Sequence, residues 1–367
     1  MKFVCEKSAL QREIAFAQEI ISSKSSMSVI SNVYLEAQDG SLLIRATDIK
    51  IGFETRMPVD IQEPGSLTVF CDKLTGILAS IPEGTIEIEQ KDTKVIIKPS
   101  FKKAQFSLKT IASEQFPQLP DIDDNKYFSI PLSEFRYMIG QTVFAVSDDE
   151  TRYFMNGVFL ERVQDGLVMV ATDGRRLAYI KRDIVDGVPE FKGIIIPPKI
   201  LSVVLHRASD EGLVQLAVSE KNLFVKFGQY RLSTVLIEGQ FPNYQKVIPE
   251  SQQYLATVKR QDVVDALKRV SIFVEQKSRR TFFALTQDKM VISSEEQEIG
   301  TAREEIPCFY DGPEAIIAIN YKYIDDPLRA IDSENVRIKF TDTGRAITVS
   351  PEPESGYFHI LMPMQVE

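Results

Sequence analysis

The 367-residue sequence has no tryptophan, two histidines and three cysteines. Each scarcity excludes something. His206 and His359 lie far apart, and His206 falls in an expected helix, so no Ser-His-Asp or Cys-His constellation is visible. Cys5, Cys71 and Cys308 are odd in number, widely separated and at no metal-like spacing, which suits buried thiols in a reducing compartment. A glycine-rich phosphate loop is absent; Gly312-Pro313-Glu314-Ala315-Ile316 reads as a turn into a strand. No apolar run approaches the ~18 residues of a membrane span. The opening Met1-Lys2-Phe3-Val4-Cys5-Glu6-Lys7 is charged and carries no apolar leader stretch, so the chain is expected in the cytoplasm. Positive charge is also short: 52 acidic against 43 basic residues leave −9. That balance argues against a protein gripping nucleic acid through many phosphate contacts, while allowing weak contact over a small basic face.

What the sequence does have is repetition. Ala46-Thr47-Asp48 and Ala171-Thr172-Asp173 are 125 residues apart, each after an apolar strand-like run. Gln115-Phe116-Pro117 and Gln240-Phe241-Pro242 share that offset, as do Phe3 and Phe128. After each opening strand comes a helical stretch with Leu10/Ile14 or Phe135/Ile139 at i, i+4. A third pass begins near Tyr254, where Leu255 to Val258 precede Val263, Leu267 and Val270. An internal repeat of domain size follows, with units 1–121, 122–251 and 252–367 separated by the proline-rich segments near Pro117–Pro120 and Pro242–Pro249.

Within the first unit, strands are expected at 32–37, 42–46, 67–70, 86–89, 95–98 and 104–108, with helices at 8–17 and 73–81. The second repeats the order: strand 127–131, helix 133–145, strands 158–163, 167–172 and 176–181, a helix opened by Pro197-Pro198, then strands 213–218, 222–227 and 230–236. The third ends in Tyr357 to Met364. Period-2 segments dominate, so one sheet face is expected to be buried under helices.

Candidate chemistry is sparse. Asp173 could act as a general base beside Arg176, giving a hydrolase or transferase. Its double Asp48 in the same context favours turn chemistry, because an enzyme needs one unique site. The carboxylate runs Asp121–Asp124, Asp148–Glu150 and Glu295–Glu296 read as solvated loops rather than metal sites. Met362-Pro363-Met364 with Leu177 and Val247 could line an adaptable apolar groove or be core. Arg152-Tyr153-Phe154 sets a cation beside two aromatics, a nucleic-acid surface or simple packing.

Several motifs together resemble a known family. They are Glu63-Pro64-Gly65, Phe106-Ser107-Leu108, Arg152-Tyr153 with Asn156-Gly157, Ala171-Thr172-Asp173-Gly174-Arg175-Arg176-Leu177-Ala178, Glu238-Gly239-Gln240-Phe241-Pro242-Asn243-Tyr244, Glu334-Asn335-Val336 and the terminal Met362-Pro363-Met364. Over the whole chain they look like the β sliding clamps, the processivity subunit of bacterial DNA polymerase III. The resemblance implies an α+β fold of three repeated clamp domains, each with two helices and about eight antiparallel strands, forming half of a closed ring. It implies a head-to-tail homodimer around duplex DNA, no cofactor, no metal, no membrane and no chemistry of its own. Expected partners are the polymerase catalytic subunit, the clamp loader, and repair and translesion polymerases carrying short Gln/Leu/Phe peptides.

Carried over by motif, the peptide groove would use Met155, Thr172, Gly174, Arg175, Arg176, Leu177, Pro242, Lys246, Val247, Ile360, Leu361, Met362, Pro363 and Met364, with Asn320 and Tyr323 at its rim. Lys24, Arg152, Tyr153 and Phe154 match positions that approach DNA. Arg175 and Lys246 stand where many relatives have histidine and arginine. A lysine-rich stretch, 91–109, faces a glutamate-rich one, 295–305, at opposite ends of the chain. The implied dimer interface joins Lys102, Lys103, Phe106 and Leu108 to Ile272, Phe273, Glu298 and Glu304.

Overall fold

The strand and helix order is set by alternation and by the short polar turns between elements. The computed structural model describes residues 1–21, 29–184, 186–296 and 299–365, so Lys24 and Glu298 lie outside the described residues. The first copy runs β1 (Lys2–Glu6), α1 (Lys7–Ile20), β2 (Asn32–Gln38), β3 (Ser41–Thr47), β4 (Ile51–Pro58), β5 (Asp60–Glu63), β6 (Gly65–Phe70), α2 (Cys71–Ser80), β7 (Thr85–Lys91), β8 (Lys94–Pro99) and β9 (Phe106–Ile111). The second runs β10 (Phe128–Pro131), α3 (Leu132–Thr142), β11 (Val158–Val163), β12 (Gly166–Thr172), β13 (Arg176–Arg182), β14 (Ile194–Ile196), α4 (Pro198–Arg207), β15 (Leu213–Val218), β16 (Asn222–Phe227) and β17 (Tyr230–Val235). The third runs β18 (Tyr254–Lys259), α5 (Arg260–Val270), β19 (Arg280–Leu285), β20 (Lys289–Glu296), β21 (Gly300–Tyr310), β22 (Ala315–Asn320), α6 (Tyr321–Ala330), β23 (Asn335–Phe340), β24 (Ile347–Glu352) and β25 (Tyr357–Leu361).

Strands β4 and β5 are additional to those expected, and two expectations shift. Glu295 and Glu296 belong to β20 rather than a loop, because β20 and β21 stay paired out to Glu296↔Gly300. The last strand of the first copy starts at Phe106, two residues later than the alternation suggested, because residues 100–105 form a turn closed by Ala104 N donating to Lys102 O.

The chain packs as two compact units, residues 1–132 with 206–236, and residues 133–205 with 237–367. The first holds a 13-stranded sheet in the order β10-β15-β16-β17-β4-β3-β2-β6-β9-β8-β7-β1-β5. The second holds a 12-stranded sheet, β14-β11-β12-β13-β25-β24-β23-β18-β21-β20-β19-β22. All its ladders, like those of the first sheet, are antiparallel. Each sheet runs from one copy of the repeat into the next, through β17 on β4 in the first unit and β25 on β13 in the second.

The core follows from helical spacing. Leu10, Ile14, Ala17 and Ile21 recur at i, i+4, i+7 and i+11 along α1, and all are buried. They pack over β3 and β4 and against α2, which lies on β6 and β9. Burying such side chains contributes roughly 1.5–3 kcal/mol each before ordering costs. A carboxylate is buried among them: Glu13 accepts from Gln229 Nε2 at 3.0 Å, Arg12 Nε at 3.1 Å and Thr55 Oγ1 at 3.4 Å. A buried carboxylate needs such partners, since desolvation without them costs several kcal/mol.

Candidate functional site

The Thr172–Arg176 turn is built by its own side chains. Thr172 Oγ1 donates to Arg176 O at 2.6 Å and accepts from Gly174 N at 3.1 Å. Asp173 Oδ1 accepts from Arg175 N at 2.8 Å and Arg176 N at 3.0 Å. Its other oxygen lies 3.2 Å from Arg176 Nε. Asp173 is therefore occupied with closing the turn, as its repetition in Asp48 suggested, and not available as a base. Gly174 supplies the left-handed conformation the turn requires, at φ 86°. A Cβ there would stand 2.7 Å from Arg152 Nη1.

The turn delivers Leu177 onto β13, where Leu177 pairs with Ile360 and Arg176 with Leu361. Leu177 and Ile360 belong to a buried cluster with Phe241, Tyr244, Val168, Val170 and Ile195, against which Phe154, Phe159, Tyr179, Ile248 and Phe358 pack. Phe159 stacks on Phe241 at 4.8 Å, and Tyr179 on Phe358 at 4.7 Å. Tyr244 OH donates to Glu161 at 2.5 Å, fixing the turn that carries Lys246 and Val247. Burial and that carboxylate push the Tyr244 phenol well above its ordinary pKa.

Above this floor stand two exposed apolar side chains, Val247 at 53% and Met362 at 44% exposure. The tail that carries Met362 is pinned at both ends: Met362 N donates to Arg175 O at 2.9 Å, and Met364 N to Ala318 O at 2.7 Å. Arg175 and Lys246 are exposed and form no ion pair among the described residues. Val247, Met362 and the aromatics packed with Leu177 and Ile360 make up the candidate site, with exposed Arg175 and Lys246 beside them in sequence.

Arg176 holds the far wall. Its guanidinium donates to Asp326 at 2.5 Å and to Phe144 O at 2.6 Å, and lies 4.9 Å above the Tyr323 ring. Asn320 caps α6, its Oδ1 accepting from Lys322 N at 3.1 Å. Met155 and Thr172 are brought in but buried, at 5% and 7% exposure. Pro242, Pro363 and Met364 are half-buried. Leu361 is buried too, and strand alternation turns it away from Ile360 and out of the cluster.

Of the residues matched to DNA contacts, Phe154 packs against the groove cluster and Arg152 lies beside Gly174, paired with Asp149 at 2.8 Å. Bonds from Thr151 and Arg152 hold the Asp149 carboxyl down at about 2. Tyr153 is the exposed member of the three, at 52%. The aromatic base of Phe159, Tyr179, Tyr244 and Phe358 was not read from the sequence. Its signal was the aromatic at alternate outer-face strand positions combined with Phe241-Pro242-Asn243-Tyr244. Nor was His359 read as a core residue. It is buried beside Phe144 and Arg176, which holds its pKa down at about 3, mainly through burial.

Elsewhere, Phe106 and Leu108 are half-buried on β9, and Lys102 and Lys103 are exposed before it. Ile272 is 69% exposed at the end of α5, with half-buried Phe273 against Gly300. Glu304 is already engaged within its own chain, by Arg269 Nε at 2.8 Å.

Three family models cover nearly the whole chain: the DNA polymerase III beta subunit N-terminal domain at residues 1–120, the central domain at 129–243 and the C-terminal domain at 245–365. The chain belongs to the DNA polymerase III beta subunit family, the sliding clamps. It is 44% identical over 371 residues to the beta sliding clamp of Treponema pallidum, covering all of both chains, and 25% identical to that of Escherichia coli over 369. Among solved structures it resembles a Pseudomonas aeruginosa sliding clamp bound to griselimycin, at TM-score 0.93, 27% identity and full coverage of both chains. The clamp of Bacillus subtilis matches at TM-score 0.93 and 26% identity, again with full coverage.

Like its family, then, the chain is a processivity factor that encircles DNA and tethers the polymerase, without chemistry of its own. No helix among the described residues is long and apolar enough to cross a membrane.

Proposed function

We propose that two copies of this chain close head to tail around duplex DNA and recruit partners through the Leu177–Met362 groove. The observation that carries the dimer is a pattern of strand pairing. At two junctions between copies of the repeat, the fourth strand of one copy pairs with the last strand of the next: β4 with β17 and β13 with β25. The corresponding strand of the third copy, β21, pairs with β20 along one flank and meets β18 only at residues 308–310. The corresponding last strand of the first copy, β9, pairs with β8 along one flank and meets β6 only at Thr110 and Ile111. Residues 106–109 and 301–307 thus carry free edges of matching kind. A head-to-tail contact that closes after two subunits gives both edges a partner.

Beside one edge stand exposed Ile272 and Ile299, and in the other half-buried Phe106 and Leu108. These apolar groups supply most of the affinity in this reading. Lys102 and Lys103 against Glu298 and Glu304 act mainly on orientation and rate, since rim pairs are individually worth little. Each copy of the repeat, 1–121, 122–251 and 252–367, then serves as one of six clamp domains in the ring.

The groove suits a short peptide with leucine and phenylalanine anchors, the polar rim residues Arg175, Lys246 and Asn320 setting its direction. The polymerase catalytic subunit, the clamp loader and the repair and translesion polymerases are its partners, in the cytoplasm. Tyr153, with Lys24, is the residue best suited to touch DNA. Sequence-independent retention by encirclement needs no tight phosphate grip, which agrees with the net charge of −9. The test is retention on closed circular DNA compared with the same DNA linearised. A ring stays on the circle and runs off free ends; equal retention on both overturns the reading.

A further inference from the structure

The two junctions also frame an outer-face position that the two units finish differently. In the second unit the registers set Phe159, Val170, Tyr179 and Phe358 side by side across four strands. Aromatic stacking closes the surface there, with Tyr244 lying over it. In the first unit the same registers set Tyr34, Arg45, Glu54 and Arg231 side by side. Leu119 takes the place of Tyr244 at the repeat offset of 125. Here the surface is not closed. A cavity of about 480 Å³ opens over it, lined by Arg45, Glu54, Arg56, Asp121, Tyr127 and Arg231, and continues past Arg231 into two neighbouring hollows whose walls add Asp123, Asp124, Lys126 and Lys226.

The charges in this trough are unevenly used. Arg45 donates to Glu54 at 2.7 Å and lies 5.8 Å from the Tyr34 ring centre. Lys226, directly opposite Arg231, is paired with Asp124 at 2.5 Å. Arg56 and Arg231 are exposed and form no ion pair among the described residues. Two guanidinium forks thus stand beside one cavity in a chain whose net charge is −9. Each fork matches a carboxylate in two-point fashion.

Their spacing selects the ligand further. Arg231 is opposite Glu54, and Arg56 is two residues along the same strand, so the two arginines are diagonal cross-strand neighbours. Such neighbours are about 7–8 Å apart. Side chains on one face of an extended peptide recur every second residue, roughly 6.6–6.8 Å apart. We infer that this trough is a second docking site on the clamp, for an extended acidic segment of a partner protein with carboxylates two residues apart. It is independent of the Leu177–Met362 groove.

The probe is a fluorescently labelled pentapeptide with glutamate at its second and fourth positions, followed by anisotropy with the full chain at low salt. Binding is expected, with loss of affinity at least tenfold in Arg56→Gln/Arg231→Gln. Arg56→Lys/Arg231→Lys, which keeps the charges but not the forks, should fall in between. Placing the glutamates side by side should weaken binding at least threefold, and replacing both by glutamine should abolish it. Met362→Ala should leave the affinity unchanged. Absence of binding by the unaltered protein, equal binding by the double glutamine variant, or indifference to glutamate spacing would each overturn the inference. Both arginines are exposed, so circular dichroism of the variants should match the parent and separate lost binding from lost fold.

Discussion

The Thr47–Ile51 and Thr172–Arg176 turns share a backbone and differ in what they present. Thr47 Oγ1 donates to Ile51 O at 2.7 Å and accepts from Ile49 N at 2.9 Å, while Asp48 Oδ1 accepts from Lys50 N at 3.1 Å and Ile51 N at 2.7 Å. These are the bonds of the second turn, atom for atom. The strand that follows is met in the same way: Val235 N donates to Lys50 O at 2.9 Å, as Met362 N does to Arg175 O. Yet Leu177 corresponds to Gly52, and Ile360 to Ser233, so the first unit lacks those two apolar side chains. Short-range hydrogen bonds between Thr, Asp and the backbone make the frame. A few side chains on the following strand decide whether the frame carries apolar or charged groups.

The comparison sharpens into experiments. The largest effect is expected at the groove. Met362→Ala should weaken a Leu/Phe-anchored polymerase peptide by roughly 1–3 kcal/mol, the range of a hot spot. Val235→Ala, its counterpart in the first unit, should change nothing in the same titration calorimetry. Equal losses in both variants would mean the two turns recruit peptides alike.

Next comes the core beneath the junction. His359 faces Ala178 in the second unit, where the first has Leu232 facing Phe53. His359 is held neutral, its pKa lowered from 6.5 to about 3 by burial and then by Arg176. The unfolded chain takes up a proton near pH 6.5 that the folded chain refuses, so stability falls as pH drops below 6.5 and goes on falling towards 3. His359→Leu removes that proton uptake. Between pH 7 and 5.5 it should spare about 1 kcal/mol of the loss in unfolding free energy seen by urea titration. Parallel pH curves for the variant and the parent would show that His359 does not carry this dependence.

The smallest effect, that of Ile49→Gly, lies in the turns themselves. Ile49 holds φ 78° where the second unit has Gly174 at 86°. A β-branched residue in that region costs roughly 1–2 kcal/mol, and glycine's greater unfolded freedom costs about 1. Ile49→Gly should therefore change stability by less than about 1 kcal/mol. Gly174→Ala should destabilise by about 1–2 kcal/mol, from the backbone and from displacing Arg152. Both are read by denaturant midpoint, and a neutral Gly174→Ala would show that the turn tolerates a side chain.

Much of this was legible in advance, for physical reasons. Alternation and, for β12, a continuous apolar run marked β11, β12, β13, β15 and β16 almost to the residue, and Pro197-Pro198 marked the opening of α4. The Thr-Asp turn was legible because its chemistry is local, and its duplication correctly argued against catalysis by Asp173. Long-range pairing was not legible. β4 was not among the strands expected, and nothing in its periodicity says that β17 will lie beside it, nor that each sheet continues from one copy into the next. The Arg176 clasp joins residues 150 positions apart and has no short-range signature. His359 sits in an alternating strand, but its face is decided by register, and one residue of slip would expose it.

Amide hydrogen exchange on the assembled protein tests the central claim most directly: the free flanks of β9 and β21 repeat the β4–β17 and β13–β25 junctions between two copies. The amides of residues 106–109 and 301–306 on those flanks should be protected in the dimer. They should exchange fast in Ile272→Ala/Phe273→Ala, which sedimentation should find as a folded monomer. Fast exchange at both edges while sedimentation still reports a dimer would contradict the account.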